Sequence, residues 1–457
     1  MRQPITRLQV SGHRFLVRRM THALVRGDAG MLDDPLRAQS LSLLTGAVLT
    51  TIAVAVCAVA TAIRPSDGVA DAPVLMVRET GAVYVRVDDT VHPVSNLTSA
   101  WLITGQPAAP RQVSQKAVDD ARRGAPMGIP GAPQHISAAG PIEPVWTICD
   151  ADGTTSVLAG VPTADPAVDQ RAVLVTPRGA GAAQTYLLYD GRRARVDLRH
   201  PAVVRALKLD HAAPQPVSAA VLDAFPEAPA IVAPHIPDRG HPGPGQLRDH
   251  PVGTVIAVAD AAHATELFVV LAGGLQRIGE VAADLIRYTD TRVGAQVPTV
   301  APDILGALPV LDVLPVTTYP AHAGVTHAAV VCARWTAGGG GARTDTLAVD
   351  RSPATGARIP LAQADGPGPN VDEVAIPPGR SLLVQPATTD GAGEGPLFLL
   401  SDTGVLHGLE SADTAAKLGL SLPAAAAPWP LLSVLPRGPE LSTGAASVVR
   451  DVVTTLP

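Results

Sequence analysis

The chain is short of aromatics, nearly free of lysine and sparing with cysteine. Phe, Trp and Tyr make up 3 % of 457 residues, so burial must come from Val, Leu, Ala and Ile. Arg outnumbers Lys 32 to 3, which with the abundant alanine reads as genomic base composition rather than function. The net charge of −6 comes with no basic face, so nucleic-acid binding has no electrostatic support. No lysine follows a glycine, which excludes a Walker A loop, and neither a G-x-S-x-G elbow nor an H-E-x-x-H helix occurs. What the chain does hold is 42 Gly and 44 Pro, a composition of many short elements and turns.

It also holds one long apolar run. Leu41 to Ile63 carries no charge, and at about 1.5 Å per helical residue it covers a bilayer core of about 30 Å. Upstream stand Arg2, Arg7, Arg14, Arg18, Arg19, Arg26 and Arg37; just downstream stand Arg64, Asp67 and Asp71. By the positive-inside rule the N-terminal segment stays in the cytoplasm and the rest is exported, as a single-pass protein of the plasma (inner) membrane. Ala60-Thr61-Ala62 resembles a signal-peptide processing site, but the long n-region and long apolar run favour an uncleaved anchor. Within the basic segment, Arg14, Phe15, Arg18, Arg19 and His22 suit an amphipathic helix. It would lie on the membrane or dock a partner; basic flanks that merely orient the anchor are the plainer alternative.

Three cysteines sort by position. Cys57 lies in the apolar run; Cys149 and Cys332 lie in strand-like runs of the exported part. Two thiols in an oxidising space favour a disulfide, the alternative being two unrelated buried thiols.

One pattern recurs four times: an aromatic in a strand, a polar or Gly turn, an apolar return residue, then apolar residues three and four apart. The aromatics are Tyr84, Tyr186, Phe268 and Phe398; the returns are Val94, Val196, Ile278 and Leu409. Asp-Gly and Gly-Gly turns signal hairpins, and a hairpin with two helical turns must lean on a neighbour to bury its face. Longer segments separate copies one from two and three from four, each with one exported cysteine. The expectation is a mainly β, α+β chain. A single N-terminal transmembrane helix precedes an elongated exported body of four hairpin-plus-helix repeats around a β-rich core with quasi-two-fold organisation.

The boundaries read as a cytoplasmic segment 1–40, a span 41–63, repeat 1 at 64–109 and a core segment with Cys149 at 110–185. Repeat 2 follows at 186–225, a Pro-rich connector at 226–251, repeat 3 at 252–297 and a core segment with Cys332 at 298–396. Repeat 4 covers 397–427, and 428–457 returns to the core.

Candidate chemistry is mostly negative. Gly338-Gly339-Gly340-Gly341 lacks the Lys and Ser/Thr of a phosphate loop and reads as a hairpin tip. His235, His241 and His250, with Asp238 and Asp249, have irregular spacing and read as exposed loop residues rather than a zinc site. Asp150-Ala151-Asp152-Gly153 lacks the closing Glu of a calcium loop and reads as a turn. The sequence indicates no cofactor, no metal and no catalytic residue.

Several stretches resemble one family. They are Gln9-Val10-Ser11-Gly12-His13-Arg14-Phe15, Asp33-Asp34-Pro35-Leu36-Arg37, Tyr84-Val85-Arg86-Val87 and His92-Pro93-Val94-Ser95-Asn96-Leu97, with Ala233-Pro234-His235-Ile236-Pro237 and Pro428-Trp429-Pro430-Leu431-Leu432. Spread over nearly the whole chain, they resemble EccB, conserved component B of the ESX (type VII) secretion systems of actinobacteria. The resemblance implies a plasma-membrane subunit with four repeat domains around a β-rich core and an exported cysteine pair at Cys149 and Cys332. It implies partners: the EccC motor ATPase, EccD, EccE and a mycosin protease. EccB proteins have been described as ATPases, so ATP enters as a cofactor through the resemblance alone; the sequence offers no recognised nucleotide loop. The repeats have been likened to cell-wall-binding modules. A membrane-anchored scaffold that self-associates through its exported part is the expected function, with an ATPase and a cell-wall-binding protein as rivals.

Overall fold

The computed structural model describes residues 6–27, 35–62, 72–136, 145–161, 163, 172–179, 184–259, 265–289, 297–338, 341–353, 357–387 and 393–451. Residues 1–68 and 69–457 form two separate units. Arg2, Asp33, Asp34, Ile63, Arg64, Asp67, Asp71, Gly339 and Gly340 of the sequence reading lie outside the described residues.

Among its described residues the first unit has two helices. Arg7–Arg26 begins where Gln9 Oε1 accepts the Thr6 N–H at 3.0 Å and ends at Gly27, whose φ of 71° is the left-handed stop that glycine tolerates. Pro35–Ala62 carries proline at its first position, where no amide hydrogen is needed. Its stretch Leu41–Val59 has a mean hydropathy of 2.2 and none of it is buried in protein, so it is long and apolar enough to cross a membrane. The hydroxyls of Thr45, Thr50 and Thr51 donate to carbonyls one turn back at 2.8 Å, which satisfies them inside an apolar helix.

Among the described residues the second unit is built on five sheets. Four share one connectivity: a first strand, an antiparallel hairpin, a short helix, and a return strand parallel to the first. In the first sheet these are Val74–Val77, the hairpin Val83–Val87 with Thr90–Val94, the helix Leu97–Thr104 and the return Arg111–Val113. The second has Ala172–Pro177, Tyr186–Tyr189 with Arg192–Arg195, Pro201–Ala206 and Gln215–Val217. The third has Val255–Ala259, Thr265–Leu271 with Gly274–Ile278, Glu280–Thr289 and Thr299–Val300. The fourth has Leu382–Pro386, Leu397–Leu400 with Leu406–Leu409, Ala412–Lys417 and Ala425–Ala427. Side-chain caps start several helices: Asn96 accepts from Ser99 N at 2.8 Å and Ser411 from Thr414 N at 3.2 Å.

The sheets reach past the boundaries read from sequence. Arg111–Val113, Ala172–Pro177, Thr299–Val300 and Leu382–Pro386 fall in segments assigned to the core, yet each pairs within a flanking sheet. The return strands are two or three residues long and are defined by a distant parallel partner, which leaves no local periodicity to read. The Pro-rich segment 226–251 is equally committed: Glu227–Ala228 pairs with Arg192–Arg195, and Ile236 and Leu247 are buried against the third sheet.

The fifth sheet is central. Its order is Gly341–Val349, Val330–Gly338, Val145–Ala151, Thr154–Ala159, Glu373–Ala375 and Ile359–Pro360. Val145–Ala151 and Val330–Gly338 lie antiparallel at its middle, with Trp146 opposite Trp335 and Cys149 opposite Cys332. Strand alternation sends the tryptophans to one face and the cysteines to the other. The tryptophan face packs with Val173, Val175 and Leu188 of the second sheet and Leu382, Val384 and Leu400 of the fourth. Leu431, Leu432 and Leu435 of the C-terminal segment join the same core.

The flanking sheets pack in crossed pairs. Helix Leu97–Thr104 of the first shares a core with Leu399, Leu409, Ala415 and Leu418 of the fourth; Val203 and Leu207 of the second share one with Val281 and Leu285 of the third. Each pair exchanges its trailing chain. Ile129, Ala132 and Ile136, which follow the first sheet, pack on the fourth, while Val449, which follows the fourth, bridges back to Met127. Ile236 crosses from the second to the third, and Val325–Thr326 returns to pair with Ala172–Pro177. Tyr189 and Tyr319 fasten this second exchange, donating to Thr318 O at 2.7 Å and Val232 O at 2.6 Å.

Candidate functional site

The four aromatics singled out from sequence occupy one register. Tyr84 lies opposite Pro93, Tyr186 opposite Arg195, Phe268 opposite Arg277 and Phe398 opposite Gly408. Each partner directly precedes the return residue Val94, Val196, Ile278 or Leu409. Tyr186, Phe268 and Phe398 are buried and Tyr84 is half-buried, so the position works as a packing key.

A second recurrent device lies on the outer hairpin strand, where sequence reading passed it by. His92 Nδ1 meets Ala125 O at 2.9 Å, and His407 Nδ1 meets Pro439 O at 3.1 Å. Each ring fixes the chain that trails its sheet, and each lies against a glycine. A Cβ on Gly124 would sit 2.2 Å from His92 Cε1, and one on Gly438 would sit 2.1 Å from His407 Cε1. Hydrogen bonding to a carbonyl requires the proton on Nδ1. Burial pushes the His407 pKa below the ordinary histidine value, holding the ring neutral with that proton in place. In the third sheet Gln276 serves instead, accepting from Val313 N at 2.9 Å and Leu314 N at 2.7 Å and donating to Leu314 O at 3.0 Å. The one local signal was the motif His92 to Leu97, whose Asn96 also donates to Ile129 O at 2.9 Å.

At the centre, Cys149 and Cys332 form a disulfide between directly opposed residues, with Cα atoms 4.1 Å apart. The next residue, Asp150, is buried and ties three elements together. Its carboxylate accepts the Ser218 N–H at 2.6 Å and pairs with the Arg178 guanidinium, which also donates to Gly153 O at 3.0 Å. Burial raises the Asp150 carboxyl above its usual range and outweighs the Ser218 and Arg178 contacts. Asp372 plays a like part, accepting from Thr155 N at 2.7 Å, Gly366 N at 2.7 Å and Asp365 N at 2.9 Å. Sequence reading took Asp150 only as the start of a turn. Its burial is set by tertiary packing, and no neighbour in sequence announces it.

The remaining candidates are scattered. Gly338 and Gly341 close the hairpin of the central sheet as paired strand ends, not at a helix start where a phosphate loop belongs. Asp152 (φ 48°) and Gly153 (φ 87°) form the turn between Val145–Ala151 and Thr154–Ala159. His235 and His241 are exposed, and among the described residues no cluster of three His, Cys, Asp or Glu is placed to hold a metal. In the first unit, Arg14 and Arg18 are one turn apart on the helix Arg7–Arg26, as are Phe15 and Arg19 on the adjacent line. Phe15, Leu16, Met20 and Leu24 are exposed there.

Known proteins share this architecture. A family described as "Type VII secretion system ESX-1, transport TM domain B" matches residues 2–455. The ESX-3 secretion system ATPase EccB3 of Mycolicibacterium smegmatis is 37 % identical over 482 residues, covering 99 % of this chain and 92 % of that protein. The ESX-5 secretion system ATPase EccB5 of Mycobacterium tuberculosis is 30 % identical over 484 residues, covering 99 % and 94 %. Among solved structures, a chain of an intact ESX-5 inner membrane complex superposes with a TM-score of 0.72 at 29 % identity, covering 100 % of this chain and 97 % of that one. A chain of an EccB3 dimer from an ESX-3 core complex gives 0.71 at 34 % identity, covering 83 % and 100 %. A profile running almost end to end, relatives aligned over nearly their whole length and a shared fold lead to one conclusion: the chain belongs to the EccB family of type VII secretion subunits.

Proposed function

We propose that this chain is a membrane-anchored scaffold of a type VII secretion complex, with its N-terminus in the cytoplasm and residues 64–457 exported. The observation that carries this reading is the match of the whole chain, apolar helix included, to a subunit of an ESX-5 inner membrane complex. The basic residues before Leu41 set the orientation, and the disulfide suits an oxidising space. Four repeats with quasi-two-fold organisation form the exported body; the shared strand order and the crossed pairing of the sheets support this. The helix bearing Arg14, Phe15, Arg18 and Arg19 docks the other membrane components, the EccC motor, EccD and EccE. The exported body meets the mycosin protease and further copies of itself.

The scaffold role is supported by the buried clamps and the covalent staple that tie the sheets together. Detergent extraction of the tagged full chain, followed by mass spectrometry of what co-purifies, tests it: the other secretion components are expected in fixed proportion. A reporter at the C-terminus active only in the cytosol overturns the orientation. ATP hydrolysis that survives removal of the motor subunit and dies with one point substitution overturns the scaffold reading in favour of an enzyme.

A further inference from the structure

The first and fourth sheets share trailing elements position for position, so each serves as the control for the other. After its return strand the first continues into the helix Gln115–Asp119 and the fourth into Trp429–Ser433. Arg123 then bridges Val91 in parallel, and Arg437 bridges Leu406 in the same way. Gly124 and Gly438 follow, each beneath its histidine.

The side chains on this frame differ in one telling respect. In the first sheet Asp119 pairs with Arg123 at 2.8 Å. At the matching place in the second, Asp223 pairs with Arg193 at 2.7 Å. In the fourth the acid is replaced by Ser433, whose hydroxyl turns back to Pro430 O at 3.0 Å. Among the described residues no carboxylate reaches Arg437. Its guanidinium lies instead over two rings, 5.4 Å from the centroid of Phe398 and 5.3 Å from that of Trp429. Tyr84 and Gln115 hold those two places in the first sheet. Trp429 is 47 % exposed, while Trp146 and Trp335 are buried.

A guanidinium stacked on aromatics is held in one plane while its N–H edge stays open, the geometry that a carboxylate engages with two hydrogen bonds. An open indole beside it offers apolar contact, and Trp with Arg is the pairing that anchors protein interfaces. The site is a surface, since Arg437 and Trp429 are both exposed. A small free anion on one exposed arginine would be weakly held; a peptide that brings both a carboxylate and apolar side chains uses the whole surface. We propose that Arg437, seated on Trp429 and Phe398, docks an acidic, apolar segment of another protein subunit of the secretion complex. This rests on the complex-subunit reading above.

Ser433→Asp supplies the intramolecular acid that the first sheet already has, and thereby occupies the guanidinium without disturbing the fold. The test purifies full-length protein with its complex, in detergent at low salt, as wild type, Ser433→Asp, Arg437→Gln and the control Arg123→Gln. Ser433→Asp and Arg437→Gln are expected to lower the yield of intact complex about ten-fold, the factor of one charge-assisted hydrogen bond. Arg123→Gln and all melting temperatures should be unchanged. A photo-crosslinker at position 433 should join a segment rich in Asp or Glu. Wild-type yields for both variants, or a crosslink to a basic segment, overturn the proposal. So does loss of co-sedimentation with isolated cell wall while the complex persists, which would assign the site to a glycan. If deleting the whole chain leaves the complex intact, the subunit reading itself fails, and that result is distinct from the others.

Discussion

At the scale of single residues, a few polar clamps fix the geometry of a core that Val, Leu, Ile and Ala supply. Gly438 and His407 form one such clamp, because the ring occupies the place a side chain would take. Gly438→Ala must displace a buried ring that holds Pro439 O, and should destabilise by about 1–3 kcal/mol, the range of overpacked cores, read as a lower melting temperature. Ser433→Ala nearby should cost little. His407 also sets a pH response. Its folded pKa lies below the 6.5 of a free histidine, so between those values the unfolded chain binds the extra proton. Stability should therefore be full above 6.5 and decline as the pH falls through that window. Melts from pH 7.5 to 5 check this against His407→Asn, whose curve should be flatter. A decline equally steep in the variant would show that other groups carry it.

Among elements, the crossed exchange of trailing segments decides what unfolds together. Leu441 is fully buried between the first and fourth sheets, and Ser442 caps the helix Thr443–Ala446 by accepting from Ala445 N at 3.1 Å. Leu441→Ala should cost about 2–5 kcal/mol. Hydrogen exchange should then lose protection in Leu97–Thr104 and Ala412–Lys417 ahead of Pro201–Ala206, since the second and third sheets keep their own exchange. Equal loss at all three helices would mean that the body unfolds as one unit. Sequence reading found the hairpins at this scale because Asp-Gly and Gly-Gly turns and the apolar returns are local signals. It missed the first strands, such as Val74–Val77, where a continuous apolar run gives no alternation. It missed the parallel returns because their partners lie about 36 to 42 residues away in sequence. Arg437, His407 and Asp150 stayed hidden for the same reason: each is given its role by a residue brought in from another element.

For the molecule as a whole, one covalent bond closes a loop of 183 residues across the middle of the central sheet. In the chain-entropy limit a loop of that length is worth up to about 5 kcal/mol. The Cys149→Ala, Cys332→Ala double variant should lose a substantial part of that, measured by denaturant midpoint on the full chain in detergent. Both thiols should resist alkylation in the wild type until a reductant is added. Reaction of both without reductant would mean that the bond is not formed in the cell.

The crossed pairing has a consequence for how the polypeptide can be divided. A cut in the proline-rich stretch near Gly240 separates the first and second sheets from the third and fourth, and Cys149 from Cys332. Neither fragment then keeps a complete pair, and each exposes half of every shared core. The two pieces should be insoluble when made apart and should complement one another when co-expressed, because the halves of the gene product are not the halves of the structure.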